Sequence, residues 1–203
     1  MNYFNYEVTP DPLLGPTQGS LWRALLDLAE TILLALIMFF AINTLTARIR
    51  VESVSMKPNL IEGDFVLVNK LAYRFSPPQR GDIIVFKYPP EPNSTPYIKR
   101  IIGVAGDHIL IKDSKVFVNG KQLSEPYLMS NTNRGGEWNV PENSLFVMGD
   151  NRNNSSDSRA WGMVPYENII GKALVIYYPI EHWAVLHVDT AFAQPLETQT
   201  PYP

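Results

Sequence analysis

The hydrophobic rhythm of the chain changes twice. From Thr31 to Ala47 no charge interrupts a run whose centre, Ile32-Leu33-Leu34-Ala35-Leu36-Ile37-Met38-Phe39-Phe40-Ala41-Ile42, is apolar on every side of a helix. A surface helix carries one apolar stripe, so a helix apolar all round belongs in a large core or in a membrane. The run lies at the short end of the ~17 to 25 residues that span hydrocarbon. Leu28 and Ile49 extend it, with neighbouring charges at headgroup level. One transmembrane helix with its flanks is therefore expected over 21–50. A buried core helix fits the length but not the uniform circumference. A cleaved signal peptide fits poorly, because Asp11, Asp27 and Glu30 precede the run and Leu45 stands two positions before Ala47.

Beyond residue 50 the apolar runs shorten and turn residues separate them. Phe65-Val66-Leu67-Val68, Ile83-Ile84-Val85-Phe86 and Ile109-Leu110-Ile111 each open just after a Gly-Asp pair, at Gly63-Asp64, Gly81-Asp82 and Gly106-Asp107. Asn119-Gly120 supplies the positive backbone angles of a tight hairpin between Val116-Phe117-Val118 and Lys121-Gln122-Leu123. Pro89-Pro90-Glu91-Pro92-Asn93-Ser94-Thr95-Pro96 cannot lie in a central strand and reads as a loop. The fold class is thus mainly β over 51–183. A polar, turn-rich stretch at about 112–144 is expected to form an inserted hairpin or small subdomain. Residues 1–20, with Pro10, Pro12, Gly15, Pro16 and Gly19, and residues 184–203, ending in Gln194-Pro195 to Pro203, read as tails.

Composition removes whole classes of function. With apolar content of 45% and aromatic content of 11%, the chain is too hydrophobic for a disordered protein. A net charge of −3 and no basic run exclude the electrostatic footprint of a nucleic-acid binder. The absence of cysteine removes disulfides, thiolate zinc sites and a cysteine nucleophile. None of His108, His182 and His187 has metal-ligand spacing or lies beside a Gly-x-Ser-x-Gly turn, and no phosphate loop is present. No metal or cofactor is expected.

Three polar segments stand out against this background. Ser53-Val54-Ser55-Met56-Lys57-Pro58-Asn59-Leu60 follows the apolar run closely; its serines either satisfy backbone groups or bring two hydroxyls to one site. Tyr97-Ile98-Lys99-Arg100 alternates on a strand, with Tyr97, Lys99 and Ile101 on one face and Ile98, Arg100 and Ile102 on the other. A lysine there is either solvated at a sheet edge or buried; burial lowers its pKa from ~10.4 and makes it a base. Met148-Gly149-Asp150-Asn151-Arg152-Asn153-Asn154-Ser155-Ser156-Asp157-Ser158-Arg159 has the composition of an exposed loop. Its apolar flanks, Leu145 to Met148 and Ala160 to Val164, instead place polar groups between two core segments, where Asp157 can pair with Arg159 and Ser155 can orient a lysine.

Together and in this order, the segments resemble the boxes of type I signal peptidases, also called leader peptidases. The similarity includes Gly103-Val104-Ala105-Gly106-Asp107 after Lys99, and it runs from about residue 28 to 178. The resemblance implies a β-rich, membrane-anchored serine endopeptidase that cuts signal peptides from exported preproteins after small residues at −1 and −3. By matching position, Ser55 is the nucleophile and Lys99 the base. Ser53 and the Ser55 amide form the oxyanion hole, Ser155 bonds the lysine, and Asp150, Arg152, Asp157 and Arg159 give support. Asn59 stands where Thr is usual and Asn153 where Asp is frequent, neither at a position assigned to catalysis.

The implied partners are preprotein signal peptides, the lipid bilayer and the secretion machinery, not nucleic acid. The resemblance implies a single-pass anchor with the catalytic domain extracytoplasmic, at a plasma membrane or, in a photosynthetic cell, a thylakoid. The charge bias points the other way, since only Arg23 precedes the apolar run while Arg48, Arg50 and Lys57 follow it. Two other readings stay open. Self-cleaving repressors share Ser-Lys chemistry on a similar β core but carry a DNA-binding module where this chain has its apolar run; an inactive anchored module would only grip preproteins. Ala191-Phe192-Ala193 offers a self-trimming site after Ala193, although such triplets recur by chance and the segment before it is poorly apolar.

Overall fold

A computed structural model describes residues 18–186, with side chains from Leu21 onward. Of the expected tails, 1–17 and 187–203, with the Ala191–Ala193 triplet, lie outside the described residues, whereas Gln18–Ser20 begin the first helix and Ala184–Val185 form a strand paired with Val175–Ile176. Helix α1 (Gln18–Leu45) belongs to a first compact unit that ends at Thr44. It is long and apolar enough to cross a membrane, and every side chain from Leu21 to Leu45 is exposed. Its threonine hydroxyls donate within the helix, Thr31 to Asp27 O and Thr44 to Phe40 O, both at 2.8 Å. Such internal satisfaction suits a segment without water around it.

The helix stops short of the uncharged stretch that runs on to Ala47. Residues Thr46–Arg50, expected as a flank of the membrane segment, instead form strand β1, which opens the second unit. The cause is pairing: each residue of β1 lies opposite one of β2 (Phe65–Asn69), from Thr46 against Asn69 to Arg50 against Phe65. In a ladder, Arg48 and Arg50 keep their heads in water while the backbone polar groups are satisfied.

After β2 come a single helical turn, α2 (Ala72–Phe75), and strands β3 (Ile83–Phe86), β4 (Tyr97–Gly103), β5 (His108–Lys112), β6 (Lys115–Val118), β7 (Lys121–Gln122), β8 (Gly136–Asn139) and β9 (Ser144–Met148). The described residues end in a short helix α3 (Ser158–Trp161) and strands β10 (Val164–Pro165), β11 (Ile169–Tyr178) and β12 (Ala184–Val185). One antiparallel sheet runs β1-β2-β11-β3-β4-β9-β10, with β12 also paired to β11; a second runs β7-β6-β5-β8. The second sheet begins at His108, somewhat before the insertion expected from about residue 112. Its core residues Ile109, Ile111, Val116 and Val118 pack with Ile102, Phe146 and Met148 of the larger sheet.

The three Gly-Asp pairs work by one device. Gly63, Gly81 and Gly106 take positive φ angles of 98°, 88° and 84°, which a side chain rarely adopts. The aspartate that follows turns its carboxylate back to the amide three residues earlier: Asp64 accepts from Ile61, Asp82 from Gln79 and Asp107 from Val104. All three carboxylates are buried, so these bonds satisfy groups that have lost their water. Asp107 also accepts from Arg80 Nε at 2.6 Å and Arg80 Nη2 at 2.5 Å, which ties the second sheet to the turn before β3. Strand β3 is buried on both faces, Ile83 and Val85 in one cluster and Ile84 and Phe86 in another. Its unbroken apolar sequence follows from that central position.

Candidate active site

Strand β1 is an edge strand, and the segment beyond it continues along the Gly63-Asp64 turn through the bonds Val51 N to Asp64 O (2.8 Å) and Gly63 N to Val51 O (2.9 Å). Val51, Met56 and Leu60 are buried in the core and anchor the stretch between them. Ser55 is thereby held with 5% exposure, and the hydroxyls of Ser53 and Ser55 lie 3.1 Å apart.

Lys99 comes from the middle of the large sheet, on β4 between β3 and β9. It is 3% exposed, and its Nζ donates to Ser55 Oγ at 2.7 Å and to Ile98 O at 2.9 Å. The solvated-edge reading of this lysine is therefore excluded. Burial lowers its pKa to about 8, against the pull of Asp157 and Asp150, whose charges favour the ammonium. A buried amine that loses its proton readily, in contact with a hydroxyl, is chemically equipped to take that hydroxyl's proton.

The third segment braces this pair through the backbone. Asn151 N donates to Ser55 O at 2.9 Å, and its side-chain amide donates to Val54 O at 3.1 Å. Gly149 has no room for a side chain, since a Cβ there would meet Ser155 Oγ at 2.3 Å and Ser55 O at 2.4 Å. Asp150 accepts both Arg100 Nε at 2.8 Å and Arg100 Nη2 at 2.7 Å, and also Asn59 Nδ2 at 2.8 Å. Asp157, with no exposed surface, accepts the Gly149 amide at 3.1 Å and a two-point bond from Arg159 at 2.8 and 2.7 Å. Arg159 continues to Arg152 O and Thr132 Oγ1, both at 2.7 Å. Arg152 donates to Gly149 O at 3.1 Å and pairs with Glu125.

Sequence reasoning placed Ser53, Ser55, Lys99, Asp150, Arg152, Asp157 and Arg159 in one neighbourhood, and the structure brings all of them together. Ser155 is the exception in detail. Its Oγ is buried with no hydrogen-bond partner among the described residues, and the Lys99 bonds go to Ser55 and Ile98 instead. Reasoning from the sequence missed Asn151 as the brace of the Ser55 turn, although it lies within the third segment. Glu125, the partner of Arg152, carried no signal in the chain at all. Asn59 stood out only as a departure from the usual Thr, and the structure gives it bonds to Asp150 and, at 3.0 Å, to Tyr127 O.

In front of Ser55 and Lys99 lies a cleft of about 270 Å³. It is lined by Ile49 to Ser55, by Thr95 to Lys99, and by Asn154 and Ser156. Ile49, Val51 and Ile98 give it apolar surface.

The model of the family described as signal peptidase, peptidase S26, matches residues 25–178. The chain is 39% identical over 181 residues to signal peptidase I of Leptolyngbya laminosa, a match covering 85% of this chain and 89% of that protein. It is 38% identical over 171 residues to a protein of a Synechocystis species named probable signal peptidase I-2, covering 81% of this chain and 78% of the other. Signal peptidase I P of Bacillus subtilis subsp. natto is 37% identical over 170 residues, covering 77% of this chain and 91% of that one.

Proposed function

The chain belongs to the signal peptidase family, peptidase S26, and on that premise we propose that this serine peptidase removes signal peptides with Ser55 as nucleophile and Lys99 as general base. The observation that carries the assignment is the 2.7 Å contact between Lys99 Nζ and Ser55 Oγ, both buried at the head of the cleft.

Neutral Lys99 takes the proton of Ser55 Oγ as the oxygen bonds to the scissile carbonyl carbon. Negative charge moves to the carbonyl oxygen, where the Ser53 hydroxyl and the Ser55 amide receive it. Collapse breaks the C–N bond, and the leaving amine takes the proton back from the Lys99 ammonium. Water then attacks the acyl-enzyme with Lys99 again accepting a proton, and Ser55 is released. Ser155 Oγ and Ser55 O both crowd the place a Gly149 side chain would take. Ser155 serves as the lysine's further partner when Lys99 carries the extra proton and has a third N–H to place.

The family resemblance implies cutting after small side chains at −1 and −3, and the apolar lining from Val51 and Ile98 supports that reading. The apolar α1 anchors the chain in a bilayer, and the catalytic unit works on the extracytoplasmic side, where preproteins emerge from the secretion machinery. The test is labelling with a serine-reactive acylating probe, followed by intact mass and peptide mapping. A single adduct on Ser55, absent in Ser55→Ala and in Lys99→Ala, is the expected result. A folded wild type that takes no adduct, or takes it elsewhere, favours a module that grips preproteins without cutting them.

A further inference from the structure

Tyr88 takes no part in the chemistry above, yet its ring lies flat on that of Tyr97, with centroids 4.5 Å apart and planes within 7°. Tyr97 precedes Lys99 by two residues on β4, and its ring centroid is 5.2 Å from the lysine Nζ. It also lines the cleft, together with Thr95, Pro96 and Ile98. Trp161 meets Tyr88 edge-on at 5.6 Å and packs on Phe86 at 6.0 Å. Phe86 in turn pairs with Tyr97 across β3 and β4, with the rings 6.2 Å apart. Trp161 ends α3, the helix capped by buried Asp157. A continuous aromatic path thus runs from the third polar segment to the wall of the cleft.

The chain between the two stacked tyrosines is stiff. Pro89, Pro90, Pro92 and Pro96 fix their own φ angles. Glu91 N bonds Tyr88 O at 3.0 Å, and Ser94 bonds Glu91 O through both its amide (3.0 Å) and its hydroxyl (2.8 Å). A stiff loop takes its direction from its ends. The end at Tyr97 lines the cleft, and the end at Tyr88 is fastened: Lys87 N donates to Asn168 O at 2.8 Å, and Asn168 Nδ2 donates to Lys87 O at 3.1 Å.

Resting on the reading of Ser55 and Lys99 as the reacting pair, we infer that Tyr88 is a positioning residue for substrate binding. Its stack on Tyr97, backed by Trp161, holds the Thr95–Tyr97 wall in place before the peptide arrives. Pre-organisation of that kind acts on binding, because a wall that must first be ordered subtracts from affinity. The hydroxyl of Tyr88 has no role in the stack, so a phenylalanine serves equally.

The test is steady-state cleavage of a preprotein by the detergent-solubilised full chain, as wild type, Tyr88→Ala, Tyr88→Leu and Tyr88→Phe, with thermal midpoints by circular dichroism. Tyr88→Ala and Tyr88→Leu are expected to raise KM about tenfold, the factor that corresponds to ~1.4 kcal/mol. Their kcat is expected to stay within about twofold of wild type, and Tyr88→Phe to match wild type in both constants. Should Tyr88→Ala not fold, Tyr88→Leu, which keeps apolar volume without a ring, carries the comparison. A lower thermal midpoint with unchanged KM overturns the inference, since the stack then only stabilises. Tyr88→Phe behaving like Tyr88→Leu also overturns it, because the hydroxyl would be the acting group. The reacting pair is judged separately by Ser55→Ala and Lys99→Ala, so an active enzyme with unaltered KM removes the role of Tyr88 alone.

Discussion

Lys99 loses its hydration among Ser55, Ile98 and the Tyr97 ring, and that loss tunes its chemistry. A fall from the ordinary 10.5 to about 8 corresponds, at ~1.4 kcal/mol per pH unit, to roughly 3 kcal/mol of disfavoured charge below pH 8. Two outcomes follow. If Lys99 is the base proposed for Ser55, only its neutral amine accepts the proton, and kcat/KM for a preprotein is expected to rise about tenfold per pH unit up to about pH 8 and then level off. For stability the sign is the reverse of that for a lysine gaining an ion pair. The folded state sheds its proton near 8 and the unfolded state near 10.5, so the penalty is complete below pH 8 and is relieved between those values. Lys99→Met is accordingly expected to be inactive but more stable than wild type at pH 7, by up to about 3 kcal/mol, with the difference shrinking as pH rises from 8 to 10.5; urea unfolding at several pH values measures it. Asn153 shows a different residue-scale effect. It accepts from Asn133 N at 3.1 Å and donates to Asn131 O at 3.2 Å, whereas an ionised aspartate there could only accept.

At the scale of elements, the site is two strands and one bracing loop. Edge strand β1 leads into the Ser55 turn, central strand β4 carries Lys99, and the loop between β9 and α3 clamps the first to the second. Gly149 is where that clamp has no slack, so Gly149→Ala is expected to displace Ser55 O or Ser155 and cut kcat/KM at least a hundredfold. The secondary structure, read by circular dichroism, should be retained. Ser55→Ala, which leaves the backbone contact intact, is the control for folding. Much of this was legible beforehand. The Gly-Asp pairs announce strand openings because a positive φ and a short carboxylate are local requirements, and alternation along Tyr97–Ile102 follows from strand geometry. What could not be read was non-local. Thr46–Arg50 pairs because β2 lies beside it, and no property of those five residues distinguishes a helix flank from an edge strand. Glu125 meets Arg152 only because the segment after β7 folds back over the site. Why Ser155 Oγ bonds nothing among the described residues could not be read either, since side-chain direction in a loop depends on contacts such as Gly149 that spacing does not encode.

For the whole molecule, an apolar helix without a buried face and a β unit with a cleft are joined at Leu45, a short stretch of chain before Ser55. That order suits the proposed cleavage of signal peptides close to a bilayer. The buried Asp150–Arg100 and Asp157–Arg159 pairs keep the Ser55 turn and β4 in fixed relation without lending a group to the reaction. The most direct test of the account is cleavage of a purified preprotein by the detergent-solubilised chain, as wild type, Ser55→Ala and Lys99→Ala, with the new N-terminus of the product sequenced. The account predicts one cut after a small residue by the wild type and none by either folded variant. A Lys99→Ala enzyme that cuts at the wild-type rate would contradict it, because the proton of Ser55 would then be leaving by another route.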